Sequence, residues 1–558
     1  MYFNTLRYLK PAQVWGRVVF RLRRLVPDLR EAPGLREPVC AWQLPAARNP
    51  TMLGPSRFRF LNKDGELGGL DAWNASEFSK LWLYNLHYFD DLNGANAVER
   101  RSWHIMLIDR WISENLPGHG IGWEPYPLSL RIVNWIKWAL AGNPLDDIVL
   151  HSLAIQTRYL SRRLEYHLLG NHLFVNAKAL VFAGCFFDGD EAIEWFECGM
   201  KILEREIPEQ ILADGGHFER SPMYHALAYE DMLDLANLAL AYPAATRHWQ
   251  ARVSEWPLLI ERMGHWLSSM CHPDGEISFF NDAAMGIAPS PGELFNYAQR
   301  LGYIIPDLDT NVIWLKDSGY IRVESDNAVL LIDVAPLGPD YLPAHAHADT
   351  LSYELSIFGQ RVVVNSGTSR YGLDPQRERE RATAAHTTLE INGQNSSEVW
   401  AGFRVARRAY PFGVTIQSDA DCVVVEAAHD GYRRLPGRPI HRRRWIFGES
   451  RLDVIDVVEG DFSRAISRVY FHPAINMKKD GRRGIASWAG VSPGKWVIPN
   501  LDGCGGGELR WQADGADIVE EPSQWHPEFG ITQPSRCLAL HVTETAGQSS
   551  CTFSLEWC

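Results

Sequence analysis

Three clusters of polar residues stand in otherwise apolar surroundings and carry the side chains that proton-transfer chemistry uses. The most telling is Pro343-Ala-His345-Ala-His347-Ala-Asp349, just before a strand-like run, because histidines at i and i+2 project to one side of an extended segment. Such a set points to a catalytic or metal-holding role more than to core packing. A second cluster, Asp214-Gly-Gly-His-Phe-Glu219-Arg-Ser-Pro-Met-Tyr224-His225, is a turn entering a helix. A phenol and an imidazole there could move protons, or could be satisfied core residues. The remaining cluster, Gly170-Asn171-His172, opens the helix-like run LFVNAKALVFAG, where the Asn-His pair either caps the helix or presents itself to a ligand. Asn365 in VVVNSG and His386 in AAHTTLEING are further donors. Glu219, His225, Asn281, Asp282 and Tyr371 are candidates for lining a shared cleft, although a lone acid such as Asp282 is more often a turn former.

These clusters need elements to hold them. From about residue 72 to 301 the apolar spacing is helical, as in Leu259, Met263, Trp266, Leu267 and Met270. Pro125, Pro127, Gly142-Asn143-Pro144 and Asp214-Gly215-Gly216 divide this stretch into successive helices, which must curl into a bundle, solenoid or toroid. After about Asp317 the period changes. Leu351, Tyr353, Leu355 and Ile357 alternate with Ser352, Glu354 and Ser356, and a Gly359-Gln360 turn leads into Val362-Val363-Val364, which predicts a hairpin. Runs at 328–334, 422–426, 452–458 and 538–542 predict more strands. Helices followed by strands indicate segregated domains, closed by a large sandwich.

The chain has 558 residues, too many for one core, and a net charge of −13 that argues against a nucleic-acid partner. An acidic polymer would have to meet local basic patches. Arg433, Arg434, Arg438, Arg442, Arg443 and Arg444 are one candidate, with a solvated strand face as the plainer reading. The 21 tryptophans weakly favour a carbohydrate ligand, and Trp123 and Tyr126 in GWEPYPLSLR are candidates for stacking on sugar or for helix packing. Nine scattered cysteines without a CxxC pair suit a reducing compartment. No signal peptide is recognised, which predicts a cytoplasmic location, with the bacterial periplasm as the alternative. No run is long enough to span a bilayer. Residues 14–25 read as an amphipathic helix, with Val14, Val18, Leu22 and Leu25 on one face and Arg17, Arg21 and Arg24 on another. Docking on the protein's own surface is the expectation, ahead of a membrane-surface role.

In the order GNHLFVNAKAL, DGGHFERSPMYH, HAHADTLSYEL with GQRVVVNSGTSRYG, and AHTTLEING, the chain resembles the heparinase II/III-like polysaccharide lyases and the related oligoalginate lyases, over nearly its whole length. The resemblance implies an α+β multidomain protein, with an incomplete α/α toroid over 72–310 and an antiparallel β-sandwich over 311–558. Residues 1–71 would form an arm with the basic helix. It also implies β-elimination on an acidic, uronate-containing polysaccharide. Asn171 and His172 would hold the substrate carboxylate, while Tyr224 and His345 would move protons. His347, Asn365 and His386 match the positions of one structural zinc. The family usually has an aspartate where Asn365 stands, and the amide is a poorer ligand. No organic cofactor is expected. Two other readings remain. A metal-dependent hydrolase is one, since HxHxD also begins the motif of metallo-β-lactamase-like enzymes, but Thr350 replaces their next histidine and the chain lacks α/β alternation. The other is a non-catalytic carbohydrate-binding accessory of an exopolysaccharide pathway.

Overall fold

The structure is a computed structural model and describes residues 1–306, 308–419, 421–489, 506–542 and 548–557. The two periodicities separate as expected. Helices run from Lys80–Tyr88 to Pro291–Arg300, and strands occupy the chain from Val312–Leu315 onward. Local chemistry sets the helix starts: Ser79, Asp146, Ser221 and Ser290 each accept a hydrogen bond from a backbone N–H in the first turn. Helix Gly170–Phe186 is apolar nearly all round and is buried accordingly, between Pro125–Leu140 and Asp190–Gln210. Its one cation, Lys178, bonds Asp231 and Asp234 of helix Pro222–Ala241 at 2.7 Å each, and Lys137 adds a 2.9 Å bond to Asp234. Three helices are thereby tied in register through a buried, fully paired charge cluster.

The strands form two large antiparallel sheets. One has nine strands and includes Tyr320–Glu324, Ala328–Asp333, Tyr353–Ile357 and Gln360–Val363; the other has eight and includes Ile440–Gly448 and Arg451–Glu459. They share one apolar cluster: Ile321, Leu330, Leu355 and Leu538 come from the first, and Val425, Trp445, Val454 and Phe553 from the second. The predicted hairpin is present, with Phe358 and Gly359 both at positive φ in its turn. The alternation at 351–357 has a different cause from the one expected of a half-solvated strand. Leu351, Tyr353, Leu355 and Ile357 fill the core between the sheets, whereas Glu354 and Ser356 are equally buried and face the helices, where each lies 2.8 Å from a ring nitrogen of His272. The polar face of this strand is how the helical layer docks on the sheet.

A second anchor is the turn at 214–216. Asp214 accepts from the backbone and hydroxyl of Ser318 at 2.7 and 2.9 Å, and Gly215 adopts φ +90 with its Cβ position 2.5 Å from Arg262 O. Only glycine fits there without strain. Gly215→Ala is expected to lower stability by about 1–3 kcal/mol, read as an earlier midpoint in urea unfolding.

Sequence reading missed a three-stranded sheet at Met52–Gly54, Arg57–Phe60 and Lys63–Glu66. In the arginine-rich segment Arg433, Arg438 and Arg444 are exposed, whereas the other three are committed within the protein. Arg443 is buried against Asp456, Arg442 pairs with Glu426 and Glu459, and Arg434 bonds backbone carbonyls.

Candidate active site

The helical layer and the nine-stranded sheet meet at Tyr224 and His345, whose rings lie 3.9 Å apart between centroids. Tyr224 sits in the first turn of its helix, where Ser221 Oγ accepts from Tyr224 N at 3.1 Å and donates to Asp282 O. One serine thus fixes both the helix start and the segment that carries Asp282. His345 is clamped twice by that same residue: Asp282 N–H donates to His345 O at 2.9 Å, and His345 Nδ1 lies 2.9 Å from Asp282 Oδ2.

Asp282 holds more than one partner. His347 Nε2 is 2.7 Å from its Oδ1, and Arg377 grips both carboxylate oxygens. Burial pushes this carboxyl's pKa up, but the charge of Arg377 and the bonds from His345 and His347 outweigh it and hold the group well below the usual carboxylate range. An ionised carboxylate only accepts, so His345 Nδ1 carries a proton, and in the neutral form of the ring the bare nitrogen is Nε2. Tyr224 is the opposite case. Burial, with Tyr371 and Asp282 adding to it, raises its pKa well above 10, so it stays a phenol. The fold therefore equips Tyr224 to give a proton and not to take one. Tyr371 OH lies 3.1 Å from Tyr224 OH, and Phe403 and Phe529 pack edge-on against the Tyr371 ring.

Glu219 lies beside His345 and is buried. Its Oε2 is 3.7 Å from His345 Nε2, yet both carboxyl oxygens are buried without a hydrogen-bond partner among the described residues, and burial raises its pKa. Gly170 backs onto it, since a Cβ there would lie 3.6 Å from Glu219 Oε1, which brings the start of helix Gly170–Phe186 to the same place. Asn171, half-buried in that turn, makes no side-chain hydrogen bond among the described residues. His172 is half-buried as well, 3.2 Å from Glu165 Oε2 and beside the Tyr126 ring at 4.5 Å. Tyr126 continues toward Tyr84 and Tyr88 as an aromatic ledge, while Trp123 is buried against Trp111 and Tyr159 and is a packing residue.

Three cleft candidates turn out to be supports. His225 is buried, accepts from His217 N–H at 3.2 Å and donates to Met263 O at 2.9 Å, so neither nitrogen is left for a substrate. Asn281 accepts from His347 N–H and donates to Arg220 O, each at 3.0 Å, which holds the histidine loop. Asp282 is buried and acts through His345 and His347. Arg377, which pins Asp282, was missed because the charged run PQRERER reads as a solvated helix; Arg377, Glu380 and Arg381 of it are buried.

The histidines of the expected metal site also meet. His347 Nδ1 and His386 Nε2 are 3.0 Å apart, with Asp282 and Ala382 O on their outer nitrogens. Asn365 does not join them: its Oδ1 accepts from Thr387 N–H at 3.0 Å and its Nδ2 donates to Ser352 Oγ. Among the described residues no three His, Cys, Asp or Glu side chains are grouped to hold a metal. Two imidazoles fall short of the three or four protein ligands that a zinc site takes, so the donor set does not fit that ion.

The comparisons agree with this architecture. The pattern described as heparinase II/III-like, C-terminal, matches residues 308–557, and that of the heparinase II/III N-terminus matches 144–299. The chain belongs to the heparinase II/III-like family. A heparin-sulfate lyase of Bacteroides stercoris is 27% identical over 249 residues, 41% of this chain and 37% of that protein. FtsZ-localized protein C of Caulobacter vibrioides is 24% identical over 386 residues, 65% of this chain and 63% of its own length. The chain therefore spans less than two thirds of either relative. The crystal structure of a heparinase III aligns with a TM-score of 0.68 at 17% identity, covering 87% of this chain and 79% of that one, a likeness of fold.

Proposed function

We propose that the chain is a polysaccharide lyase that cleaves an acidic, uronate-containing polymer by β-elimination, at the junction of an incomplete α/α toroid and an antiparallel β-sandwich. The observation that carries this reading is the pairing of a phenol kept protonated, Tyr224, with an imidazole, His345, whose Nδ1 is bound by an ionised carboxylate. Together they offer an acid and a base on adjacent rings. His345 Nε2 takes the proton alpha to the sugar carboxylate; the electrons released form the carbon–carbon double bond; the bond to the 4-linked oxygen breaks; and Tyr224 gives its proton to that oxygen. The difficulty of the step is charge building on the carboxylate, which donors placed beforehand relieve. Asn171, with its amide uncommitted, and Glu219, whose raised pKa favours the neutral and donating form, suit that task. The name of the Bacteroides relative, a heparin-sulfate lyase, supports the reaction class.

The test is direct. Supplied with a panel of acidic polysaccharides, the protein is expected to generate the ultraviolet absorbance of an unsaturated uronate with at least one of them. Binding without that absorbance for every polymer would overturn the lyase reading. It would favour an accessory carbohydrate-binding role, a reading motivated by the likeness to FtsZ-localized protein C, whose name specifies no reaction. No step of this mechanism runs through a metal. Protein purified without added zinc is expected to contain far less than one zinc per chain and to keep its turnover after treatment with a chelator. Stoichiometric zinc, or loss of turnover on chelation, would return the metal to the site.

A further inference from the structure

The arm that opens the chain is not folded away as its amphipathic pattern led us to expect. Helix Pro11–Leu22 rests on the body by one narrow edge. Gln13 donates to Tyr341 O, a Cβ on Gly16 would lie 2.9 Å from His167 N, and the Phe20 ring is 4.2 Å from that of His167. At 100° per residue the opposite side carries Val14, Trp15, Val18 and Leu22, and these are 55%, 70%, 44% and 77% exposed. Phe3 and Leu6 of the preceding helix Tyr2–Leu6 are exposed too. Basic residues flank the apolar arc. Residues 1–26 contain Arg7, Lys10, Arg17, Arg21, Arg23 and Arg24 and no acidic residue. Removing those six positive charges from the net −13 leaves −19 on the remainder, so the arm is a cationic island on an acidic protein. Lys10 pairs with Glu209, but the side chains of Arg17, Arg21, Arg23 and Arg24 have no hydrogen-bond or ion-pair partner among the described residues.

We infer that this arm is a docking surface for an anionic lipid bilayer, on which helix Pro11–Leu22 lies in the plane of the headgroups. Only that occupant satisfies both halves of the face, burying the valines, the tryptophan and the leucine while the arginines meet lipid phosphate. A soluble acidic polymer would neutralise the arginines and leave the apolar arc in water. A second copy would set arginines against arginines across a twofold axis. The helix is 12 residues long, which suits lying on a membrane and not crossing one.

Vesicle flotation of the full chain tests this. With vesicles of phosphatidylcholine containing about a third phosphatidylglycerol the protein is expected to float, and with phosphatidylcholine alone to stay at the bottom. Val18→Asp with Leu22→Asp should abolish flotation without changing the thermal unfolding midpoint, since both side chains are exposed. Arg17→Gln and Arg21→Gln should each weaken partitioning about fivefold, and high salt should weaken it further. The inference is overturned if the chain stays at the bottom with both vesicle types, or if the aspartate variants float as well as the parent. It is also overturned if the protein runs as a dimer that those variants return to a monomer.

Discussion

Tyr224→Phe should cost about 10²–10⁴-fold in kcat while the affinity for an acidic oligosaccharide stays nearly unchanged. The substitution removes one oxygen. It leaves the ring that packs against His345, and among the described residues the only hydrogen bond it breaks is the 3.1 Å contact with Tyr371. What disappears is the proton that the leaving oxygen needs. Burial keeps the Tyr224 pKa well above 10, so the phenol is protonated across the neutral range and the rate should not fall through tyrosine ionisation below about pH 10. Kinetics on the UV signal with a parallel binding isotherm separate the two effects. A variant with the parent's rate would remove Tyr224 from the chemistry.

Asp282→Asn should lose both activity and stability, for two reasons that can be separated. The stability loss comes from Arg377, buried and gripping both carboxylate oxygens; removing its counter-charge leaves a cation in the interior, at a cost of about 3–5 kcal/mol. The activity loss comes from His345. An amide N–H facing Nδ1 would force the proton onto Nε2, so the nitrogen that must accept a proton would already carry one. The same change of tautomer lowers turnover by about 10⁴-fold in serine proteases, and a loss of about 10²–10⁴-fold is expected here. Assays run well below the variant's unfolding midpoint, with folding monitored by circular dichroism, isolate the catalytic term. Full activity in the folded variant would mean that Asp282 does not set the His345 tautomer.

Much of this site could be read before any coordinates, and the parts that could not have physical explanations. Tyr224 and His345 were legible because polar residues of those types, at those spacings, stood out from apolar surroundings. His225, next to Tyr224, carried the same signal but faces the helical core, where a backbone N–H and a carbonyl use up its ring. Side-chain direction one residue apart on a helix differs by 100°, and sequence alone did not say which of the two faced the cleft. Arg377 lay hidden in a run of charges that composition assigns to solvent. Its burial follows from the carboxylate waiting for it, which is 95 residues away along the chain. The alternation at 351–357 gave the strand correctly, but its polar face proved to be a second interior surface, matched by His272. The basic amphipathic helix was recognised as such; which of its faces would be covered depended on Gly16 and Phe20 meeting His167.

The central claim is spatial: Asn171 and Tyr224 from the helices and His345 from the loop before the sheet surround one sugar carboxylate. A crystal structure of the Tyr224→Phe protein with an acidic tetrasaccharide tests it most directly. The account predicts a uronate carboxylate hydrogen-bonded to Asn171 and Glu219, with the carbon alpha to it about 3–3.5 Å from His345 Nε2. An oligosaccharide bound with its carboxylates turned away from Asn171, or in a cleft that His345 does not reach, would contradict it.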